Sequence, residues 1–160
     1  MTNKAGQCCP EFQPERWNEK THVWKDKLFI RDRVRQLFHI PLNMGKVVKR
    51  MFDKIQKVNA APNDEDFLML AYDPTPWISE IHMTVTKEVP DAEMVKLSGT
   101  FISKVFDGPY SAVPKWAKEM ESFIEKKNQK IKKMYFHFAY CPKCVKKYGK
   151  NYSIAFGEVE

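Results

Sequence analysis

Residues 135–159, YFHFAYCPKCVKKYGKNYSIAFGEV, read as a strand, a tight basic loop carrying Cys141 and Cys144, and a strand that returns. Residues 67–89, FLMLAYDPTPWISEIHMTVTKEV, echo that run. Ala71, Tyr72 and Pro74 stand where Ala139, Tyr140 and Pro142 stand, and Glu88-Val89 stand where Glu158-Val159 stand. Along a strand successive side chains take opposite faces, so both runs read as half-buried hairpins.

Working outward, each hairpin follows a strand and a helix. Leu28, Ile30, Val34, Phe38 and Ile40 recur at even positions, with Arg31, Arg33 and Arg35 opposite, a period of two. Pro41-Leu42-Asn43 ends that pattern and offers a helix cap. Met44, Val47, Val48, Met51, Phe52, Ile55 and Val58 then recur at steps of three and four, the apolar stripe of an amphipathic helix. Residues 94–106 repeat the strand and residues 107–111 the turn. Val113, Trp116, Ala117, Met120, Phe123 and Ile124 repeat the stripe.

An offset of 68 aligns Phe38 with Phe106, Pro41 with Pro109 and Tyr72 with Tyr140, and an offset of 70 aligns Glu88 with Glu158. Co-linear prolines, helices and hairpins argue for an internal duplication. The fold class expected is therefore α+β: tandem strand–helix–strand–strand repeats with pseudo-twofold symmetry, an antiparallel sheet and helices packed on one side. One unit alone leaves a sheet face uncovered, so the two should pair. Residues 1–26, broken by Pro10 and Pro14, read as an irregular arm pinned by Trp17 and Trp24. Residues 27–160 read as a single domain, with repeat one at 27–90 and repeat two at 91–160.

The 160 residues, 43% apolar and 13% aromatic, suffice for one well-buried domain. No run reaches the roughly 20 apolar residues of a membrane span, and the N-terminus lacks a secretory apolar core. A soluble cytoplasmic protein with no membrane partner is expected. The net charge of +7 lies largely in the lysines of residues 125–133 and in Lys146-Lys147. Such clusters are usually solvated faces, and nucleic acid is not the expected partner.

Phe106-Asp107-Gly108-Pro109-Tyr110 before Trp116, the paired hairpins and Glu158 near the end together resemble the GyrI-like small-molecule-binding domain. That superfamily includes the effector-binding domains of drug-responsive transcription regulators. The resemblance covers roughly residues 28–159 and is architectural more than a dense motif match. It implies a crevice between the repeats that holds a hydrophobic, often cationic molecule among aromatics and a buried glutamate. It also implies that some relatives are hydrolases opening strained small molecules. The Cys-Pro-Lys-Cys loop and the Cys8-Cys9 pair depart from the general pattern. The arm and two repeats take up all residues, so a DNA-binding module is not expected in this chain.

Tyr152, Ile154, Phe156 and Glu158 share one strand face by alternation, and His82, Thr84, Thr86 and Glu88 share the equivalent face. A carboxylate among aromatic rings loses hydration, which suits a general acid or base, or a partner for a cation. Glu158, Glu88 and Tyr110 are therefore the catalytic candidates, against the simpler reading of solvated carboxylates. Tyr72, Trp77, Trp116, Tyr140 and His137 are the candidates for ligand contact, although Trp116 on the helix stripe and His137 in the place of an apolar Met69 read more readily as core. Cys141 and Cys144 have the spacing of a zinc knuckle, and Cys8 and Cys9 could complete a four-sulfur site. Plain thiols and a redox pair are the alternatives, and no cofactor is required.

Two functions follow. The leading one is a stand-alone domain that binds a small, partly apolar molecule and hydrolyses it or simply holds it. The alternative is a basic, zinc-stabilised module contacting nucleic acid or an acidic protein. The sequence leaves the ligand and the oligomeric state open.

Overall fold

A computed structural model describes residues 11–140 and 142–160. Cys8, Cys9 and Cys141 lie outside the described residues. The described residues divide into two compact units: Lys25–Ser98 forms the first, and residues 11–24 with Gly99–Glu160 form the second.

The first unit is built on β1 (Lys20–Leu37), which contributes its residues from Lys25 onward, β2 (Ile40–Pro41), α1 (Met44–Lys57), β3 (Met69–Thr75) and β4 (Ile78–Thr84). β1 and β3 both pair antiparallel with β4, which sets Arg31, His82 and Leu70 in one row and Arg33, Glu80 and Tyr72 in the next. Ile30 and Val34 of β1, Ile81 and Met83 of β4, and Val47, Met51 and Ile55 of α1 close one core. Each such side chain is worth roughly 1.5–3 kcal/mol of burial. Arg31 and Arg33 occupy the opposite side of β1, and Arg31 pairs with Glu93 at 2.6 Å and Glu80 at 3.5 Å.

The second unit is built on β5 (Glu93–Asp107), which contributes its residues from Gly99 onward, α2 (Val113–Glu125), β6 (Ile131–Phe138), α3 (Pro142–Tyr148) and β7 (Tyr152–Val159). β5 and β6 both pair antiparallel with β7. Ile102, Phe106, Ala155 and Val159 meet Trp116, Met120 and Ile124 of α2 in a second core. Gly157 belongs to this face by necessity: a Cβ there would stand 2.5 Å from Ile124 Cδ1.

Both units are thus α+β with antiparallel pairing. Both helices end alike. Asn59 (φ 53°) and Asn128 (φ 57°) adopt the left-handed conformation after the last turn. The Ala60 and Gln129 amides donate back to the Ile55 and Ile124 carbonyls, and the Asn59 and Asn128 amides to Gln56 and Glu125. This is the Schellman ending, with asparagine where glycine is commoner. The buried triads Val47, Met51, Ile55 and Trp116, Met120, Ile124 and these two asparagines are all spaced by 69 residues, not 68.

Several expectations need correction. β1 begins at Lys20, inside the segment read as irregular. Phe38 and Ile40 do not continue its buried side. Leu37 pairs with Ile40 across a two-residue turn, and Phe38 is 69% exposed. Asn43 does not cap α1, because its side-chain oxygen accepts the Arg35 amide at 2.8 Å. Residues 142–148 form α3 in place of a tight loop. Proline is well placed at a first helical position, where its missing N–H has no partner to lose.

Candidate functional site

The helices cover one face of each unit's strands; candidate chemistry gathers on the other face of the second unit. With Gly157 turned to α2, alternation turns Phe156 and Glu158 away from it. The pairing register sets three rows across that face: Val105, Ile154 and His137; Ser103, Phe156 and Tyr135; Phe101, Glu158 and Lys133.

Aromatic rings from the arm meet this face. Trp24 stacks on Phe101 with centroids 4.3 Å apart, and Trp17 meets Phe156 edge-on at 5.8 Å. His22 lies 5.9 Å from Phe156 and 5.4 Å from Trp17, and Tyr135 lies 6.3 Å from Phe101. Phe101 and Phe156 are fully buried, while Trp17, His22 and Trp24 keep part of their surface in solvent. The result is an aromatic wall with a carboxylate in the neighbouring row.

Ser103 and His22 touch at 2.8 Å, and the contact invites comparison with a nucleophile and its base. Hydrogen bonding argues otherwise. The Ser103 hydroxyl has one proton, and it lies 2.6 Å from the Trp17 carbonyl, which can only accept. His22 Nε2–H must then donate to Ser103 Oγ, so the imidazole has no lone pair there to take the serine proton. The pair fastens the arm to β5. Asn18 does the same, accepting the Val105 amide at 3.1 Å.

A separate tyrosine cluster closes the other end of the face. Buried Tyr140 stacks on Tyr148 at 4.6 Å, approaches Tyr152 at 6.1 Å, and its hydroxyl accepts the Phe12 amide at 2.8 Å. Burial pushes this phenol above its ordinary range. Tyr110 is half-exposed, rests edge-on against Phe138 and donates to the Tyr140 carbonyl at 3.4 Å. Tyr110 and Tyr140 therefore meet, and Glu158 does not join them. Six residue steps along β7 separate Tyr152 from Glu158, about 20 Å.

Other candidates fall elsewhere. Trp116 is in the α2 core, stacked on Phe106 at 5.4 Å, and offers no surface to a ligand. Gly108 is small to admit it, since a Cβ there would lie 3.2 Å from the indole. Glu88 is exposed in the irregular segment after β4 and does not extend the strand row of His82 and Thr84. Trp77 is exposed in the turn between β3 and β4. Tyr72 is half-buried in the row of Glu80. His137 is buried beside Ile154, on the face of Tyr135. Cys144 is buried in α3, and among the described residues no group of three or more His, Cys, Asp or Glu is placed to hold a metal ion.

Sequence reasoning missed His22, Phe101 and Ser103. The usable signal was alternation in residues 20–26, where Val23 is exposed while His22 and Trp24 are covered.

A family model described as bacterial hydrolase matches residues 1–159. The chain belongs to that family. No curated protein matches the sequence. Among solved structures this bacterial hydrolase family member is similar to a hydrolase from Listeria innocua (TM-score 0.63, 13% identity, 89% of this chain and 92% of that one). It is similar to the EcmrR C-terminal domain (0.62, 11%, 90% and 98%). It is also similar to SAV2435 bound to tetraphenylphosphonium (0.54, 9%, 89% and 94%). At these identities the likeness is one of fold, and the fold is GyrI-like.

Proposed function

We propose that the chain binds a lipophilic cation on the aromatic face of the second unit. Rings of the ligand lie against the partly exposed Trp17 and Trp24, which rest on the buried Phe156 and Phe101, and Glu158 balances its charge. The observation that carries this reading is the placement of Glu158 in the row next to Phe156, within a wall of partly exposed arm rings. Aromatic faces attract cations most strongly where water is excluded, and a carboxylate nearby adds Coulomb attraction. A structural neighbour held with tetraphenylphosphonium supports the ligand class.

The family description favours a second step, hydrolysis, with Glu158 as the base that draws a proton from water. The long separation from the tyrosine cluster assigns Tyr110 and Tyr140 to the fold in this reading. Domain limits of 27–160, with the arm completing the face, belong to the same proposal.

Calorimetric titration with tetraphenylphosphonium tests binding. Saturable uptake by the native chain is expected, with roughly a tenfold loss in both Glu158→Gln and Trp24→Ala. Equal affinity in all three proteins would end the proposal. Product formation from a reactive electrophile, lost in Glu158→Gln, separates the hydrolase from a binder.

A further inference from the structure

At one end of the first unit Leu37, Phe38, Ile40, Leu42, Trp77 and Ile78 are each 38–69% exposed. They form one patch. The β1–β2 and β3–β4 turns stand side by side there, with the His39 amide donating to the Pro76 carbonyl at 2.9 Å and the Gln36 amide to Trp77 at 2.7 Å. The Phe38 and Trp77 rings lie 4.9 Å apart. Phe38 and His39 have φ of 48° and 66°, in the left-handed region that Asn and Gly favour in such loops. A phenylalanine there is strained, and its ring gains no core contact in exchange. Contiguous exposed apolar surface of this kind marks an interaction site.

Among the described residues the patch has one carboxylate at hand, Asp73, which is held by His39 Nδ1 at 3.0 Å, and two free cations beside it. Arg35 and Lys46 have no ion pair among the described residues and flank an open cleft of ≈ 690 Å³ beside Leu42. The first turn of α1 contains no carboxylate, so its amide end adds to the positive potential. This rim disfavours a twofold pairing of copies, which would set Arg35 and Lys46 against their own kind. Exposed Trp and Phe at a turn, flanked on one side by Arg35 and Lys46, match the chemistry of a headgroup layer.

We propose that the first unit docks by this end onto an anionic lipid bilayer, with Phe38 and Trp77 entering the headgroup layer and Arg35 and Lys46 meeting lipid phosphates. Docking of this kind needs no spanning helix, and among the described residues no helix is long and apolar enough to be one. The proposal uses no residue of the ligand face and stands independently of it.

Sedimentation of the full chain with vesicles tests it. Binding is expected to phosphatidylcholine vesicles carrying phosphatidylglycerol, with little to phosphatidylcholine alone. Phe38→Ser with Trp77→Ser should weaken it about tenfold or more, and Arg35→Glu with Lys46→Glu should abolish the preference for phosphatidylglycerol, at unchanged melting temperature. Failure to bind the anionic vesicles, or binding indifferent to both pairs of substitutions, overturns the proposal. So does a lipid-free dimer that the Phe38 and Trp77 substitutions dissociate, since a second copy would then be the occupant.

Discussion

Tyr140 shows how burial turns one side chain into a structural anchor. Its hydroxyl accepts the Phe12 amide, and desolvation raises its pKa from the ordinary 10.0. A raised pKa means the folded chain holds its proton longer than the unfolded one. The stabilisation is whole below pH 10 and is lost as pH rises through the folded value. Spectrophotometric titration should show a tyrosine ionisation above pH 10 that is absent in Tyr140→Phe, a substitution that should also cost about 1 kcal/mol. Glu93 shifts the other way. Its hydrogen bond to Arg31 comes first, aided by the charges of Arg31 and Arg33, and lowers its pKa from 4.5. Its contribution is present above pH 4.5 and fades as pH falls through the lower folded value. The carboxylate is partly exposed, so no more than about 1 kcal/mol is at stake. Acid unfolding of Glu93→Gln should show a shallower loss of stability over that window.

At the scale of elements, the helix–strand fit is tight in the second unit. Gly157→Ala would force a methyl onto Ile124, and the expected cost is about 1–3 kcal/mol by chemical denaturation. The helix endings predict the opposite sign. Asn59→Gly and Asn128→Gly relieve left-handed strain and should each add roughly 0.5 kcal/mol. Periodicity made α1, α2 and both hairpins legible, because apolar stripes and alternation report directly on which side is buried. It misplaced the helix register by one. The sequence alignment at 68 follows Pro41 with Pro109, and the helices themselves keep 69, through Asn59 and Asn128. α3 was hidden because Cys141-Pro142 read as a hairpin tip, although proline suits a first helical turn.

For the whole molecule, a short list of features led to the right family of folds: Gly108-Pro109-Tyr110 before a helix, paired hairpins and a late glutamate. Glu158 was legible because strand alternation from Phe156 places it without any tertiary knowledge. The aromatic wall was only half legible. Trp17 and Trp24 stood out as too apolar for water, but their meeting with Phe101 and Phe156 joins residues more than 70 positions apart. Trp116, whose place on the helix stripe favoured core over pocket wall, packs in the α2 core. The most direct test of the ligand proposal is a crystal structure of the native chain with tetraphenylphosphonium. The expected result sets phenyl rings against Trp17 and Trp24, with the phosphonium within Coulomb reach of Glu158. A cation seated elsewhere, with those rings unmoved and uncovered, would contradict it.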